Sequence, residues 1–123
     1  MTVKVYTIPN ETALAFLREN KARKECVFVR PCDVWYGAYI NGALVGVGGY
    51  TQKARYIEIG GMFVKAESRN NGIGRAINCA LLLEIGDRRI VAYARPIEAR
   101  ILRHFGFMEK HTLKNGTIKL ERG

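Results

Sequence analysis

The residues best suited to chemistry form a short loop between two regular elements, with Arg69, Gly72, Gly74 and Arg75 at its key positions. An apolar strand leads into the loop, and a helix rich in alanine and leucine follows it directly. The first turn of a helix leaves backbone N–H groups without partners, and the helix dipole adds partial positive charge there. Glycine removes side chains that would keep a large anion away, and arginine can add full charges. The segment therefore predicts a phosphate or pyrophosphate site.

Two common phosphate loops are excluded by the spacing of these glycines. The Walker loop needs a glycine followed five residues later by Gly-Lys-Ser/Thr, and the chain has no such run. The dinucleotide fingerprint needs a third glycine where Ile77 stands. Two glycines where a loop meets a helix also fit a tight turn with close packing, so the binding and the structural interpretations both stay open at this point.

The elements that must position this loop follow from apolar periodicity and turn signals. Residues 2–8 alternate as a strand, and Asn10 is predicted to cap a helix over residues 11–23. Asn41-Gly42 predicts a tight hairpin, since both positions tolerate positive φ. The other predicted elements are strands 34–40, 43–51, 55–64, 89–94, 107–113 and 117–121, a helix over 72–85, and a short helix from 96 to 104 or 105. The order β-α-β-β-β-α-β-α-β-β predicts a mixed α/β sheet.

The composition is that of an ordinary globular protein, and we expect a single domain over residues 1–123. No apolar run approaches the roughly 20 residues that cross a bilayer, and the first residues lack the apolar stretch of a secretory signal. The three cysteines, Cys26, Cys32 and Cys79, have no regular spacing. These features predict a cytoplasmic protein with buried free thiols, no metal site and no membrane contact.

The charge balance favours a polyanionic partner. Twenty lysines and arginines stand against eleven acidic residues, for a formal net charge of +9. Such an excess suits nucleic acid, an acidic protein surface or a phosphorylated cofactor. Because the chain has no helix-turn-helix, zinc-finger or RNA-binding aromatic signature, nucleic acid ranks last among these partners.

Two motifs resemble those of the GNAT acetyltransferase family. Arg69-x-x-Gly72-x-Gly74 is similar to the family's acetyl-CoA motif, Q/R-x-x-G-x-G/A. Residues 99–107 resemble the family's short helix with its Gly-Phe ending, here Gly106-Phe107. The motifs occur in the family's order with strand 89–94 between them, which is more specific than either alone. The resemblance covers the chain from about residue 34 to the C-terminus, and the preceding part fits more loosely.

The resemblance implies a GNAT-like twisted mixed β-sheet, flanked by helices and splayed between two central strands, here 55–64 and 89–94. The pantetheine arm of acetyl-CoA would lie in that split, and Gly60-Gly61 would suit a β-bulge near it. By the same resemblance, the pantetheine pairs with the backbone of Met62, Phe63 and Val64. The resemblance also implies that backbone N–H groups of Asn70, Asn71, Gly72, Ile73, Gly74 and Arg75 hold the pyrophosphate, to which the side chains of Arg69 and Arg75 can add positive charge.

Acetyl transfer to an amine calls for a base, because an alkyl ammonium has a pKa near 10. Glu58 is the candidate, since strand alternation puts it on the same face as Gly60, Met62 and Val64. Its spacing also matches the glutamate that acts as base in histone-acetyltransferase-like members. The alternative is an exposed strand carboxylate paired with a neighbouring cation.

The general acid departs from the family pattern. Many members have a tyrosine four residues before the glycine of Gly-Phe, where this chain has Leu102. Tyr93 on the neighbouring strand and His104 in the short helix are the candidate substitutes. His104 also fits a plain surface histidine, and a thiolate is able to leave without an acid.

The sequence thus predicts an N-acetyltransferase that moves an acetyl group from acetyl-CoA directly to a primary amine of a protein, peptide or small molecule. The short link between residues 23 and 34 predicts an open acceptor groove, which favours a protein or peptide amine. The alternative, suggested by Leu102, is a catalytically silent GNAT-fold protein that binds CoA or a protein partner. The last hairpin would suit a homodimer contact of the kind many relatives make.

Overall fold

Seven strands and three α-helices make up the computed structural model, which describes residues 2–25 and 27–123. The strands are β1 (Val3–Ile8), β2 (Val34–Ile40), β3 (Ala43–Gln52), β4 (Ile57–Val64), β5 (Ile90–Ala94), β6 (Met108–Thr112) and β7 (Ile118–Arg122). The α-helices are α1 (Asn10–Glu19), α2 (Ile73–Ile85) and α3 (Pro96–His104), with short 3₁₀ turns at Ala22–Glu25 and Ala66–Ser68. The predicted order of strands and α-helices is confirmed.

The sheet has the strand order β1-β2-β3-β4-β5-β7-β6 and opens at its centre. Every neighbouring pair is antiparallel except β4 and β5, which are parallel. Their pairing runs from Ile57 opposite Ile90 to Ile59 opposite Ala92 and stops there, although both strands continue. The two strands therefore separate toward their C-terminal ends, which confirms the predicted splay.

The hairpin between β2 and β3 follows its turn chemistry. Asn41 and Gly42 both have positive φ, 51° and 79°, as a type I′ turn requires. Ile40 pairs with Ala43 directly across this turn. The prediction from Asn-Gly is confirmed.

The first helix differs from its prediction at both ends. Asn10 is its first residue and makes no cap hydrogen bond. Its Oδ1 instead accepts hydrogen bonds from Trp35 Nε1 at 2.7 Å and from the backbone N–H of Cys32 at 3.0 Å. The helix ends at Glu19 rather than Arg23, because Asn20 Nδ2 donates to the Phe16 carbonyl and Lys21 turns to a φ of 53°. The Asn10 side chain therefore hydrogen-bonds residues distant in sequence instead of capping its own helix.

We expect Asn10→Ala to lower the free energy of unfolding by about 1–3 kcal/mol, because it removes the acceptor of a buried indole N–H. Trp35 is only 1% exposed, so water replaces that acceptor poorly. Asn10→Asp keeps an acceptor oxygen in place and should stay near wild type. Urea unfolding measures both variants, and an alanine variant as stable as wild type would contradict this role.

Hydrophobic clusters lie on both faces of the sheet. One is built on α2 and α3, with Ile77, Leu81 and Leu102 among its buried residues. The other is built on α1 and centres on Trp35 and Phe63. None of the helices within the described ranges is both long and apolar enough to span a membrane.

Candidate active site

The loop before α2 leaves the N-terminus of that helix open. Gly72 stands at the N-cap position with φ 74° and ψ 11°, and no described side chain caps the helix. Apart from Gly72 itself and its chain neighbours, no heavy atom of residues 2–25 and 27–123 lies within 4 Å of the point where a Cβ on Gly72 would be. The N–H groups of the first turn have no intrahelical acceptor and share the positive end of the dipole. This turn can therefore accept a phosphate group.

Arg69 braces this loop. Its Nε donates to the Val64 carbonyl at 2.8 Å, and its Nη2 donates to Glu25 Oε2 at 3.0 Å. The guanidinium also lies over the Phe63 ring, 5.1 Å from the centroid. Arg69 thus connects the end of β4 to the 3₁₀ turn at 22–25. The side chain of Arg75, the other arginine of the motif, is exposed on the first turn of α2.

An ion-pair network continues from Arg69 around the rim. Glu25 also accepts from Arg95 Nη1 at 2.6 Å, and Arg95 pairs in turn with Glu98. The hydrogen bond from Arg69 lowers the pKa of Glu25, and the charges of Arg69 and Arg95 add to this. Burial raises the pKa of Glu98 against the opposing effect of Arg95. No local pattern predicts this network, because its members come from three separate segments.

A cleft of about 160 Å³ opens where β4 and β5 separate. It is lined from both faces of the sheet. Residues Cys32 and Glu58 line it on the α1 side, and Asn78 of α2 and Leu102 of α3 line it on the other. Residues 59–62 of β4 and 92–94 of β5 form its two edges. The cleft therefore passes through the sheet.

A β-bulge at Gly61 decides which side chains face each side of this cleft. Val47 pairs with Phe63 and Gly49 with Gly60, so β4 holds one more residue than β3 between these pairs. Gly61 has φ 67°, and a Cβ there would lie 2.4 Å from Trp35 Cη2. The bulge predicted at Gly60-Gly61 is confirmed.

The bulge also overturns one prediction about Glu58. Alternation without a bulge put Glu58 on the same face as Met62 and Val64. The extra residue reverses the alternation, so Met62 and Val64 pack with Ile59 on the α2 side. Glu58 points to the opposite side, where Arg30 Nη2 lies 3.0 Å from its Oε2. The Glu58 side chain is 14% exposed. It lines the cleft and also pairs with a cation, so features of both predicted interpretations are present.

The model of the acetyltransferase (GNAT) family matches residues 3–106. The chain belongs to the GNAT acetyltransferase family. The match extends over the N-terminal strand and helix, where the sequence motifs alone fit loosely. A comparison with curated protein sequences finds no match.

Solved structures of several bacterial and archaeal proteins, N-acyltransferases among them, share this fold. An acyl-CoA N-acyltransferase from Pseudomonas aeruginosa aligns with a TM-score of 0.76 at 15% identity, covering 99% of this chain and 100% of that chain. ElaA from Escherichia coli gives a TM-score of 0.77 at 15% identity, with the same coverage of 99% and 100%. The PaiA N-acetyltransferase from Thermoplasma acidophilum, solved in complex with coenzyme A, gives 0.70 at 12% identity, covering 99% of each chain. At these identities the likeness is one of fold.

The other GNAT candidate residues fall in different places. Met62 lines the cleft, whereas Phe63 is 2% exposed in the core on the α1 side. Tyr93 lines the cleft and is 40% exposed. His104 is exposed at the C-terminal end of α3 and is not among the residues that line the cleft. Of the two candidate acids, the structure brings only Tyr93 into the cleft with Glu58.

Leu102 is buried, at 3% exposure, and lines the cleft where many GNAT proteins have tyrosine. Its side chain offers no proton to a departing group. The position where many GNAT proteins have tyrosine therefore faces the cleft in this protein but provides no general acid.

Cys32 is a cleft residue that sequence reasoning did not select. It is a free thiol beside Glu58 and Thr51, and burial raises the pKa of that thiol, opposed by its hydrogen bond with Thr51. A protonated thiol is a weak nucleophile. Cys79 is also free but exposed, so the prediction that it is buried was wrong. Cys26 lies outside the described residues.

Proposed function

We propose that this chain is an acyl-CoA-dependent N-acetyltransferase that moves the acetyl group of acetyl-CoA directly to a primary amine. The observation that supports this most strongly is the cleft through the sheet. It runs beside the separated edges of β4 and β5, is lined on one side by Asn78 of α2, the helix whose N-terminus is open, and reaches Glu58 on the other side. Family membership supports an acyl-CoA substrate.

The cofactor is held mainly by backbone groups. Beyond Ile59 the edge of β4 that faces β5 has no partner strand among the described residues, while its other edge pairs with β3 up to Val64. Unpaired N–H and C=O groups need partners, and the two amides of pantetheine supply them along Met62 to Val64. The loop from Asn70 and the first turn of α2, through Ile73 to Arg75, hold the pyrophosphate. The acetyl group then lies within the split.

The reaction is a direct displacement. Glu58 takes a proton from the ammonium of the acceptor, directly or through water. The free amine attacks the thioester carbonyl carbon, a C–N bond forms, and the C–S bond breaks to release the CoA thiolate. The proton that the new amide nitrogen loses passes to this thiolate, directly or through water, which gives the amide and CoA thiol. The raised pKa of Cys32 argues against an acyl-cysteine intermediate, because the thiol stays protonated. Tyr93 is the acid candidate within the cleft.

The acceptor side suits an exposed amine on a protein or peptide. Its rim is an extended segment, residues 27–32, without regular secondary structure. Phe28 is 64% exposed there, with the Arg30 guanidinium 5.2 Å from its ring centroid. An open rim with an aromatic ring can contact a chain that extends past the reacting amine, which an enclosed metabolite pocket does not need.

A second function is favoured by one observation, the buried Leu102 at the usual tyrosine position. A GNAT-fold protein without a strong acid would bind CoA for a structural or regulatory purpose. Such a protein would bind acetyl-CoA and transfer its acetyl group to no amine.

The test is calorimetric titration of acetyl-CoA into the purified protein, followed by release of CoA thiol in the presence of peptide and small-molecule amines. We expect a dissociation constant on the order of micromolar and turnover with amine-bearing peptides. Binding without turnover on the whole panel would support the silent alternative. A folded protein that binds no acetyl-CoA would refute both.

A further inference from the structure

Within the described residues, the buried polar side chains are Asn78, at 2% exposure, and Thr117, at 8%. Both line the cleft through the sheet. Buried polar groups normally have hydrogen-bond partners, so a buried polar atom at a cavity that has none is a candidate contact for a polar ligand.

The carboxamide oxygen of Asn78 has no such partner in the part of the chain that the structure describes. This atom, Oδ1, is enclosed. Asn78 lies on α2 among the apolar residues Ile77, Leu81 and Leu82, all of them buried. A carboxamide at this position carries an unmet demand for hydrogen bonds, which an apolar side chain would not.

The chemistry of the group matches an amide ligand. A carboxamide both donates and accepts, and rotation of its terminal torsion exchanges the two ends. It can therefore pair with either the N–H or the C=O of an amide. Pantetheine contains two amides, each with one donor and one acceptor.

The position of Asn78 relative to the phosphate-binding turn also fits. Gly72 and Asn78 are six residues apart on one helix, a rise of about 9 Å along its axis. The pantoyl link and the first amide of pantetheine can bridge that distance. Asn78 lies on the α2 side of the split, where Met62 also packs.

We infer that Asn78 is a cofactor-positioning residue whose carboxamide hydrogen-bonds an amide of the pantetheine arm. This inference rests on the proposed function. The contact fixes how far the arm extends through the sheet, and so where the thioester lies relative to Glu58.

The experiment compares Asn78→Leu with wild type in binding two ligands, acetyl-CoA and adenosine 3′,5′-bisphosphate, which has no pantetheine. Leucine has the same branched shape, is somewhat larger, and removes both hydrogen-bonding ends. We expect the dissociation constant for acetyl-CoA to rise about tenfold, the loss of one buried hydrogen bond, with that for the bisphosphate unchanged. The melting temperature of the free variant should equal or exceed that of wild type, because an unpaired buried oxygen is gone.

Two controls make the result specific. Cys79→Leu places the same leucine one residue further on, at an exposed position, and should leave both affinities unchanged. Asn78→Ala removes the amide without added bulk and should weaken acetyl-CoA binding in the same selective way, should leucine prevent folding.

Three outcomes would overturn the inference. Unchanged acetyl-CoA affinity in both Asn78 variants would show that the amide makes no contact with the arm. Equal weakening of both ligands, or a large loss of stability, would show a structural role in α2. A wild-type protein that binds no acetyl-CoA would instead refute the proposed function, and this inference with it.

Discussion

Gly72→Glu is expected to raise the dissociation constant for acetyl-CoA by about 100-fold or more. The new carboxylate would stand at the N-cap of α2, where the pyrophosphate is proposed to lie. Two like charges about 4 Å apart at a protein surface repel by about 4 kcal/mol, which exceeds the roughly 2.7 kcal/mol of a 100-fold change. Because no described atom beyond Gly72 and its chain neighbours lies within 4 Å of the place a Cβ would take, the side chain has room to enter without disturbing the core.

The matched control is Gly86→Glu at the other end of the same helix. Gly86 also has positive φ, 70°, and open space where a Cβ would be, but its ψ of −138° lies outside the left-handed helical region of Gly72, so glutamate strains the backbone more at position 86 than at position 72. Both substitutions strain the backbone, but only Gly72 is near the proposed phosphate site. Calorimetry should show lost binding at position 72 and retained binding at position 86. Equal losses would attribute the effect to a weakened α2 and argue against a phosphate at Gly72.

Glu58→Gln is expected to lower kcat by about 100- to 1,000-fold at neutral pH, the usual contribution of a positioned base. Glutamine keeps the shape of the side chain but cannot accept the ammonium proton. Acetyl-CoA affinity should stay within about twofold of wild type, since Glu58 lies on the acceptor side of the sheet. The kcat deficit should shrink as the pH approaches the acceptor's pKa, near 10 for an alkyl amine, because the free amine is then abundant.

Glu121→Gln is the matched control for this experiment. Glu121 is also a strand glutamate paired with an arginine, Arg89, and its side chain is 18% exposed against 14% for Glu58. It lies on β7 and is not among the residues that line the cleft. Its variant should keep full turnover. A Glu58 variant with wild-type kcat would mean that this carboxylate serves its ion pair with Arg30 and no proton transfer.

Local patterns were enough to predict the order of the elements and the open turn before α2. The Asn41-Gly42 hairpin and the glycines at 72 and 74 act within a few residues, so their effect can be read from the sequence. The placement of β4 and β5 on the two sides of the split followed from the family resemblance, because no local signal specifies which strands lie side by side.

Some features were predicted wrongly or missed. The face of Glu58 was predicted from simple alternation, which does not allow for the bulge that Gly60-Gly61 itself predicted; Gly61 packs against Trp35, and the alternation of β4 reverses there. Asn10 was predicted to cap the helix because local patterns favour this role. Its actual partner, the Trp35 indole, lies 25 positions further along the chain and leaves no local signal. Asn78 did carry a local signal, a lone polar residue on the buried side of an apolar helix, but its significance depends on the cleft that α2 helps to close.

The passage of the cleft through the sheet has a consequence for steady-state kinetics. If acetyl-CoA enters beside α2 and the amine arrives past Arg30 on the other side, neither substrate obstructs the other's path. Both must be bound together before transfer, so initial rates should follow a sequential rather than a ping-pong pattern. The two products would likewise depart from opposite faces, and an accumulated acetylated peptide would not compete with CoA for its exit.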